Sequence, residues 1–358
     1  MITISLCMIV RNEEEVLGRC LSAVEGIADE IIIVDTGSTD KTKEIASSFG
    51  AVVYDFEWID HFAAARNFSF SKATKDYIMW LDADDIIGEK DRLLLLELKK
   101  TLPENINSVT MPYNLAFDAK GQVTYSLRRN RIVKRDQNFQ WVGPVHELLV
   151  CHGPYFHADA AVTHSKNKVF TDRNLRIYTN RLKAGEEFSP RDQFYYANEL
   201  RTHGQYIKAI EWYGKFLDGQ QGWVEDNILA CLRTADCYRY LGDRSNRFAA
   251  LARTLSYDKP RAELCCAMGE YFVEEQKYEI AVYWYNQALH AEKPSSPMAL
   301  TNKADSTWIP HIQLCLCYDR LGQYDKAFQH HVKARELNPT HPSVLFNEDY
   351  FKKRMEKV

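Results

Sequence analysis

Three acidic residues lie within four consecutive positions of the segment DYIMWLDADDII, at 76–87. Asp82, Asp84 and Asp85 directly follow an apolar run that is typical of a buried strand. Carboxylates at this spacing repel one another unless a cation lies between them. Hard divalent ions such as Mg²⁺ or Mn²⁺ take oxygen ligands and often share a site with phosphates. The segment therefore predicts a metal site for a phosphate-containing ligand, although such acids also occur where they only solvate a loop or cap a helix.

The elements that would position these acids alternate strands with helices. Continuous apolar runs separated by helical patterns indicate a mainly parallel sheet that is covered on both faces. The acids would then lie at the carboxyl edge of this sheet, where open α/β folds bind ligands. Residues 103–170 contain further strand-like runs that complete this first domain, and we expect its boundary between 170 and 190. The apolar runs are 3–10, 30–35, 51–56 and 77–82.

The second half of the chain is built from repeats. The segments GQYIKAI, QKYEIAV and GQYDKAF begin at residues 204, 276 and 322, and GDRSNRF at 242 is a degenerate copy. A period near 34 residues with paired helices resembles tetratricopeptide repeats. The insertion EKPSSPMALTNKADSTW lengthens the last interval. We expect an all-α domain in which the small residues Ala209, Ala281 and Ala327, and the aromatic residues Trp212, Tyr213, Trp284 and Tyr285, pack in the core.

Composition excludes several classes of protein. The chain has 358 residues, which is long enough for two domains, and its net charge of −4 argues against a nucleic-acid partner. Its apolar runs are too short to span a bilayer. The N-terminal run lacks a basic leader, so it predicts a first strand rather than a signal peptide. The nine cysteines show no zinc-ligand spacing, and we expect reduced thiols in a cytoplasmic protein.

Four motifs occur in an order that resembles a known family. The segments CMIVRNEE, VDTGSTDKT, WIDHFAAARNFS and YIMWLDADD are similar to the nucleotide-sugar-binding half of the inverting GT-A glycosyltransferases of family 2. The resemblance covers roughly residues 1–165, and WVGPVHE and VTHS are similar to the subgroup that glycosylates peptides, including S-glycosyltransferases of bacteriocins. It implies a Rossmann-like α/β GT-A domain at 1–175, with a mainly parallel mixed sheet. An all-α tetratricopeptide-like domain would follow at 190–358.

The resemblance also implies which residues bind the nucleotide. The backbone around Val10 would line the nucleoside slot, with Arg11 and Asn12 at its rim. Asp35 would accept the uracil N–H or hold the ribose, unless it only caps the following helix. Arg66 would lie above the diphosphate, unless it is a surface salt-bridge partner.

Further roles concern the metal, which the resemblance implies is Mn²⁺ or Mg²⁺. Asp84 would coordinate the ion most directly, and Asp82 would contact the ion or the ribose. His164 resembles the late histidine that completes the metal or diphosphate site in relatives, but it could also be an ordinary residue at a strand end. The chain departs from the family just after it, where Ser165 and Lys166 replace an aromatic-glycine pair.

An inverting transfer needs a carboxylate that takes the acceptor's proton. Glu147, which follows a Gly-Pro turn, is favoured, and Asp85 is the alternative. Glu147 could instead form a salt bridge with the arginines at 128–131.

Together these features predict a metal-dependent inverting glycosyltransferase with a UDP-linked sugar donor and a peptide or protein acceptor. A saccharide acceptor is the first alternative, and a peptide-binding scaffold with an inactive GT-A domain is the second. Neither G-x-G-x-x-G nor a P-loop is present, and the Q-x-x-R-W motif of processive synthases is missing. The repeats would hold the acceptor or pair two copies of the chain.

Overall fold

The computed structural model describes residues 1–117, 121, 123–165, 171–294, 299 and 301–355. The chain divides into two compact units, one of residues 1–115 and 126–186 and the other of 116–125 and 187–358. The break after residue 186 falls between residues 170 and 190. Residues 116–125 group with the second unit, although they lie within the part of the sequence that precedes that break.

The first unit contains eleven of the strands and five α-helices in the described residues. The strands are β1 (Ile4–Val10), β2 (Glu30–Asp35), β3 (Val52–Asp55), β4 (Tyr77–Trp80), β5 (Asp85–Ile86), β6 (Ser108–Phe117), β7 (Val123–Lys134), β8 (Gln140–Val142), β9 (Leu148–Val150), β10 (Tyr155–His157) and β11 (Val162–His164). The ends of β6 and β7 that meet at the hairpin tip belong to the second unit. The helices are α1 (Leu17–Ala23), α2 (Thr42–Ser48), α3 (Phe62–Phe70), α4 (Glu89–Thr101) and α5 (Arg173–Lys183).

The main sheet has the strand order β3-β2-β1-β4-β7-β6-β11-β5, with β10 beside β6. Strands β1 to β4 are parallel to one another where they pair, whereas β7 is antiparallel to β4. The expected Rossmann-like, mainly parallel mixed sheet of a GT-A domain is thus confirmed. Because β2 and β4 flank β1 on opposite sides, the strand order reverses there, and ligands bind at the carboxyl ends around such a point. Strands β8 and β9 form a separate antiparallel hairpin.

Both faces of this sheet are covered, as continuous apolar strands require. Alternate residues of β1, including Leu6 and Met8, pack with apolar side chains of α1 and α4 in one buried cluster. Cys7 points to the opposite face, where it packs with Phe70 of α3 and with Trp141 of β8. The period-two alternation places these neighbours on different faces, so β1 is packed on both sides within the core.

The second unit consists mainly of helices that follow one another as antiparallel pairs. Each second helix begins within a repeat motif, and Ala209, Ala281 and Ala327 are completely buried. Tyr213 and Tyr285 occupy equivalent positions and are also buried, so packing explains these aromatic residues. The tetratricopeptide-like fold expected from the repeats is confirmed. The helices are α6 (Pro190–Thr202), α7 (Tyr206–Asp218), α8 (Val224–Tyr240), α9 (Arg244–Arg253), α10 (Ala262–Glu274), α11 (Tyr278–His290), α12 (Trp308–Arg320), α13 (Tyr324–Leu337) and α14 (Pro342–Met355), and β12 (Thr301–Asn302) lies in the insertion.

The turn between the paired helices predicts a stabilising substitution. Gly204, Gly242 and Gly322 have φ between 72° and 73°, and Gln276 occupies the same place with φ 57°. A side chain in this left-handed region is strained by roughly 1–2 kcal/mol. We therefore expect Gln276→Gly to raise the free energy of unfolding by about 1 kcal/mol in chemical denaturation. The matched change Gly242→Gln should lower it, and an unchanged stability for both variants would contradict this interpretation.

No helix in the described part of the chain is long and apolar enough to cross a membrane. All nine cysteines are free thiols, and seven of them are buried. The burial of these seven is typical of cysteines that serve as small apolar residues.

Candidate active site

A tight turn after β4 gathers the three acids at the carboxyl edge of the sheet. The backbone N–H of Asp85 donates to the carbonyl of Asp82 (3.0 Å), and the N–H of Asp82 donates to the Asp85 carboxylate (3.0 Å). Asp85 is buried, whereas the side chains of Asp82 and Asp84 are 35% and 17% exposed. The turn therefore gives the three carboxylates different surroundings.

Asp85 is neutralised by a buried arginine. Arg131 Nη1 lies 2.9 Å from Asp85 Oδ2, and both side chains are completely buried. The Tyr113 hydroxyl donates to the other carboxylate oxygen of Asp85 (3.0 Å). The Arg131 guanidinium also lies 3.9 Å from the centre of the Trp80 ring and 4.4 Å from that of Tyr113. Burial and the Asp85 charge raise the pKa of Tyr113, so this hydroxyl stays protonated and remains a donor.

The Arg131–Asp85 pair predicts a large effect on stability. Removing one partner of a buried ion pair costs about 3–5 kcal/mol, because the remaining charge is left without compensation. We expect Arg131→Met to lower the free energy of unfolding by about this amount in urea denaturation. The double variant Arg131→Met with Asp85→Asn should recover a large part of the loss. A single variant as stable as the parent protein would contradict the assignment.

Asp82 and Glu147 are joined by a second buried arginine. Arg66, on α3, donates from Nη2 to Asp82 Oδ1 (2.8 Å) and from Nε to Glu147 Oε1 (2.6 Å). Its guanidinium contacts two indole rings that pack edge to face against each other, with the ring centres of Trp80 and Trp141 at 4.9 Å and 4.8 Å. Burial alone would raise the pKa of Asp82, but the charge of Arg66 lowers it to about 2.

The contacts of Arg66 and Glu147 were not foreseen from the sequence. The side chain of Arg66 is buried against Trp80 and Trp141 and bonded to two carboxylates, and its place near a diphosphate stays a prediction. Glu147 was weighed as a partner of the arginines at 128–131, but it pairs with Arg66 instead. In both cases the contacts join segments far apart in sequence, which local patterns do not predict.

The β8–β9 hairpin holds Glu147 in place. The Asn67 side chain on α3 accepts from the N–H of Trp141 (2.8 Å) and donates to its carbonyl (2.9 Å). The N–H of Phe62 donates to the carbonyl of Pro144 (2.8 Å). In the loop before Glu147, His146 has φ 50°, a conformation that is uncommon for a residue with a side chain. The loop is thus anchored to the helix that carries Arg66.

Asp84, Asp85 and His164 form a candidate metal site. Single donor atoms of the three residues lie within 4.8 Å of one another. His164 Nδ1 is 3.6 Å from Asp84 Oδ1 and 3.8 Å from Asp85 Oδ1, too far for hydrogen bonds. This nitrogen is buried and has no hydrogen-bond partner among the described residues. Carboxylate oxygens facing an unpartnered buried nitrogen fit a divalent cation.

The electrostatics of the cluster agree with this fit. Burial, together with the charges of Asp82 and Asp85, raises the pKa of Asp84, although His164 opposes the shift. The Asp85 carboxylate raises the pKa of His164. Asp84 is therefore the acid of the turn without an arginine partner among the described residues. The metal set expected from the resemblance contained Asp82, whereas the structure brings Asp85 to the cluster and holds Asp82 on Arg66.

Asp35 and Val10 lie at the ends of neighbouring strands at the same edge. The Val10 carbonyl is occupied, since it accepts from the N–H of Thr36 (3.0 Å). Asp35 is completely buried, and its Oδ1 accepts from the N–H groups of Gly37 (2.9 Å) and Ser38 (2.8 Å). Its Oδ2 is buried and has no hydrogen-bond partner among the described residues. Asp35 thus stabilises the turn with one oxygen and keeps the other available as an acceptor.

Asn12 and Arg11 lie on the loop after β1. Asn12, with φ 53°, accepts from the N–H of Thr39 (2.8 Å), and its own N–H donates to the Ser38 hydroxyl (2.9 Å). These bonds tie the loops after β1 and β2 together. Arg11 is exposed. Lys166, noted as a possible contact to a diphosphate, lies outside the described residues.

Sequence reasoning did not assign a role to four residues that build the site. Arg131 and Tyr113 surround the acids but lie outside the motifs, whereas Trp80 and Trp141 lie within YIMWLDADD and WVGPVHE and received no role of their own. A charged residue directly before the apolar pair Ile132-Val133 near the end of β7, in the segment NRIVK, was the available signal for Arg131.

Comparison with known proteins agrees with the geometry of the first unit. Residues 5–156 match the family model of glycosyl transferase family 2. A TPR repeat-containing protein of Synechococcus elongatus is 40% identical over 155 residues, which cover 42% of this chain and 36% of that protein. The SPbeta prophage-derived glycosyltransferase SunS of Bacillus subtilis is 27% identical over 255 residues, covering 64% of this chain and 58% of SunS.

The chain therefore spans between 36% and 58% of the length of these two relatives. Among solved structures, glucosyl-3-phosphoglycerate synthase of Mycobacterium tuberculosis, in complex with Mn²⁺ and UDP-glucose, covers 53% of this chain and 81% of that protein. Its TM-score is 0.36 at 15% identity, a likeness too low for a comparison of individual residues.

Proposed function

We propose, because residues 5–156 match the family model of glycosyl transferase family 2, that this chain transfers a sugar from a nucleotide-sugar donor to an acceptor. The arrangement of the three acids after β4 carries the proposal. Asp82 and Asp85 form ion pairs with buried arginines. Asp84 instead faces His164 Nδ1, which has no hydrogen-bond partner among the described residues. A structural role alone would not require this third acid, whereas a site for a cation and a phosphate-bearing donor does.

The donor is best explained as UDP-linked. Asp35 Oδ2 is a buried acceptor without a partner in the described chain, and leaving such a group unpaired costs about 1–3 kcal/mol. The N–H of a uracil ring would satisfy it. Val10 lies beside Asp35 in the parallel pair of β1 and β2, so its backbone would border the nucleoside. Asn12 and Arg11 would lie at the rim of this slot.

Asp84, His164 and Asp85 would hold the divalent metal. When bound, the ion neutralises the negative charge that develops on the departing diphosphate. The mixed set of carboxylate oxygens and an imidazole nitrogen favours Mn²⁺ over Mg²⁺, because Mg²⁺ prefers oxygen ligands alone. Asp82 would add its negative charge to the metal site. Its ion pair with Arg66 would also help to hold the loop between β8 and β9, since Arg66 binds Glu147 there.

Glu147 is the carboxylate best suited to act as the base. In an inverting transfer, an oxygen, sulfur or nitrogen of the acceptor forms a bond to the anomeric carbon while the bond to the diphosphate breaks. The acceptor's proton passes to the base. Arg66 fixes one oxygen of Glu147, whose side chain is 12% exposed. Asp85 is less suited, because it is completely buried and both its oxygens already accept hydrogen bonds.

A peptide or protein is the proposed acceptor, and the cytoplasm is the proposed location. The alignment with SunS covers 64% of this chain, which is more than the first unit alone contains, so the likeness includes part of the helical unit. Repeat arrays of this kind present surfaces that bind extended peptides or a second copy of the chain. A saccharide acceptor remains the alternative for the same chemistry.

The proposal is tested by incubating the purified protein with a panel of UDP-sugars and Mn²⁺ and measuring released UDP. We expect release with one or a few sugars and its loss when EDTA is added. Mass spectrometry of proteins from the host, incubated with the active donor, should then show the mass of the added sugar. Absence of both turnover and metal-dependent UDP binding would favour the inactive scaffold instead.

A further inference from the structure

The second unit contains a cavity of about 260 Å³ between α8 and α10, which we call the α8–α10 cavity. Tyr125 from the hairpin tip contributes to its wall, as do Asn302 and Asp305 from the insertion. The helical repeats alone would not supply these three residues. The insertion that interrupts the repeat period, and the tip that joins this unit, therefore both help to enclose the cavity.

One wall of the cavity is apolar. Ile228, Leu229 and Leu232 on α8 face Leu264 on α10 across the space. A volume of about 260 Å³ lies below the roughly 300–1,000 Å³ typical of sites for drug-sized ligands. The α8–α10 cavity therefore fits one long side chain better than a whole cofactor or nucleotide.

The basic residues around the cavity already have partners. Arg261 binds Glu225 through two bonds (2.5 and 3.0 Å) and Asp258 through a third (2.8 Å). Arg201 lies 3.6 Å from Asp236, and Lys259 pairs with Glu292.

Arg233 donates to the Asn198 side chain (2.6 Å) and stacks on Phe194. Three of the four basic residues that line the cavity are thus paired with acids, and Arg233 is held by a neutral amide and a ring.

Two acids of the lining have no such partner. Glu263 and Asp305 form no ion pair with a lysine or arginine in the described residues. Burial raises the pKa of Asp305 to about 6, and the neighbouring Glu263 adds to the shift. Burial raises the pKa of Glu263 in the same direction. Two partly buried carboxylates thus lie together on the side of the cavity formed by α10 and the insertion.

We propose that the α8–α10 cavity binds one lysine or arginine side chain of a peptide acceptor, whose cationic head lies against Glu263 and Asp305. The leucine and isoleucine wall would hold the aliphatic stem, since long basic side chains bury their methylene groups against apolar surface. Charge-assisted hydrogen bonds to the two carboxylates would supply the selectivity. This inference deepens the proposed function and rests on its peptide acceptor.

The test uses the full chain and fluorescent seven-residue peptides of glycine and serine with one central residue. Lysine, arginine, norleucine and glutamate are compared at that centre by fluorescence anisotropy. We expect the lysine and arginine peptides to bind at least about tenfold more tightly than the norleucine peptide, as charge-assisted bonds imply. The double variant Glu263→Gln with Asp305→Asn should lose this preference.

The matched control removes two exposed acids of the same unit, Glu211→Gln with Glu279→Gln, and should keep the preference. UDP release from the donor is measured on every variant and should not change, since all these acids lie in the second unit. Thermal melting shows whether each variant is folded. If the double variant is unfolded, the single variant Asp305→Asn is measured in its place. Equal binding of the lysine and norleucine peptides, or a preference that survives the double substitution, would overturn the inference. Failure of UDP release with the preference intact would instead refute the enzyme assignment.

Discussion

Asp84→Asn is expected to reduce sugar transfer by about 1,000-fold or more while the protein stays folded. The substitution removes a negative charge from the cluster that faces His164 Nδ1. A bound metal ion contributes several kcal/mol of charge stabilisation to such reactions, and each 1.36 kcal/mol changes the rate tenfold. Initial rates of UDP release, measured across a range of Mn²⁺ concentrations, would show the loss.

The fold should survive because Asp84 has no arginine partner to leave uncompensated in the described residues. Asparagine keeps the size of the side chain and relieves repulsion from Asp82 and Asp85, which raise the pKa of Asp84 in the parent. Glu89→Gln, which removes an exposed charge at the start of α4, is the matched control and should leave the rate unchanged. Metal-dependent transfer at the parental rate in Asp84→Asn would show that the cation is bound elsewhere.

Glu147→Gln is expected to lower the turnover number by about 100- to 10,000-fold, the range for loss of a general base. The amide oxygen of glutamine can still accept from Arg66 Nε, so the hairpin loop should keep its position. Donor affinity should therefore change little. Separate measurements of UDP binding, by calorimetry, and of turnover, with saturating donor, distinguish the two effects.

The two measurements together also decide the role of Glu147. Loss of turnover with unchanged donor affinity would identify it as the base. A collapse of donor affinity instead of turnover would make Glu147 a binding residue. The role of base would then pass to Asp85, despite its burial.

Local patterns in the sequence were sufficient to predict the architecture. Strands such as β1 and β4 are continuous apolar runs, and their alternation with helices indicates a parallel sheet before any contact is known. The repeat motifs predicted the second helix of each pair, because Ala209 and its equivalents must be small where the two helices meet. The apolar strand runs and the repeat motifs each depend on residues that are close together in the chain. Periodicity in the sequence detects patterns of this kind.

Contacts between distant segments were not predictable in the same way. Arg131 and Asp85 are 46 residues apart, and Arg66 and Glu147 are 81 residues apart. Each pair depends on the antiparallel placement of β7 beside β4 or on the docking of the β8–β9 hairpin against α3. The sequence identified the acids, but it did not show that two of them are compensated by buried arginines. That distinction singles out Asp84.

The assignment of residues 116–125 to the second unit has a similar cause. Strands β6 and β7 contain ten and twelve residues, whereas β4 contains four and pairs with β7 only through residues 132–134. Tyr125, near the start of β7, lies near Arg233, Glu263 and Asp305 within the second unit. A strand pattern predicts the strands but not the unit to which their ends belong.

The most direct test of the account is a crystal structure of the protein grown with UDP and Mn²⁺. We predict an anomalous peak at about 2.0–2.6 Å from oxygen or nitrogen ligands of Asp84 and His164, with the uracil ring on Asp35. Two results would contradict the account. One is a manganese ion bound away from Asp84 and His164, and the other is a nucleotide bound away from the carboxyl edge of β1, β2 and β4.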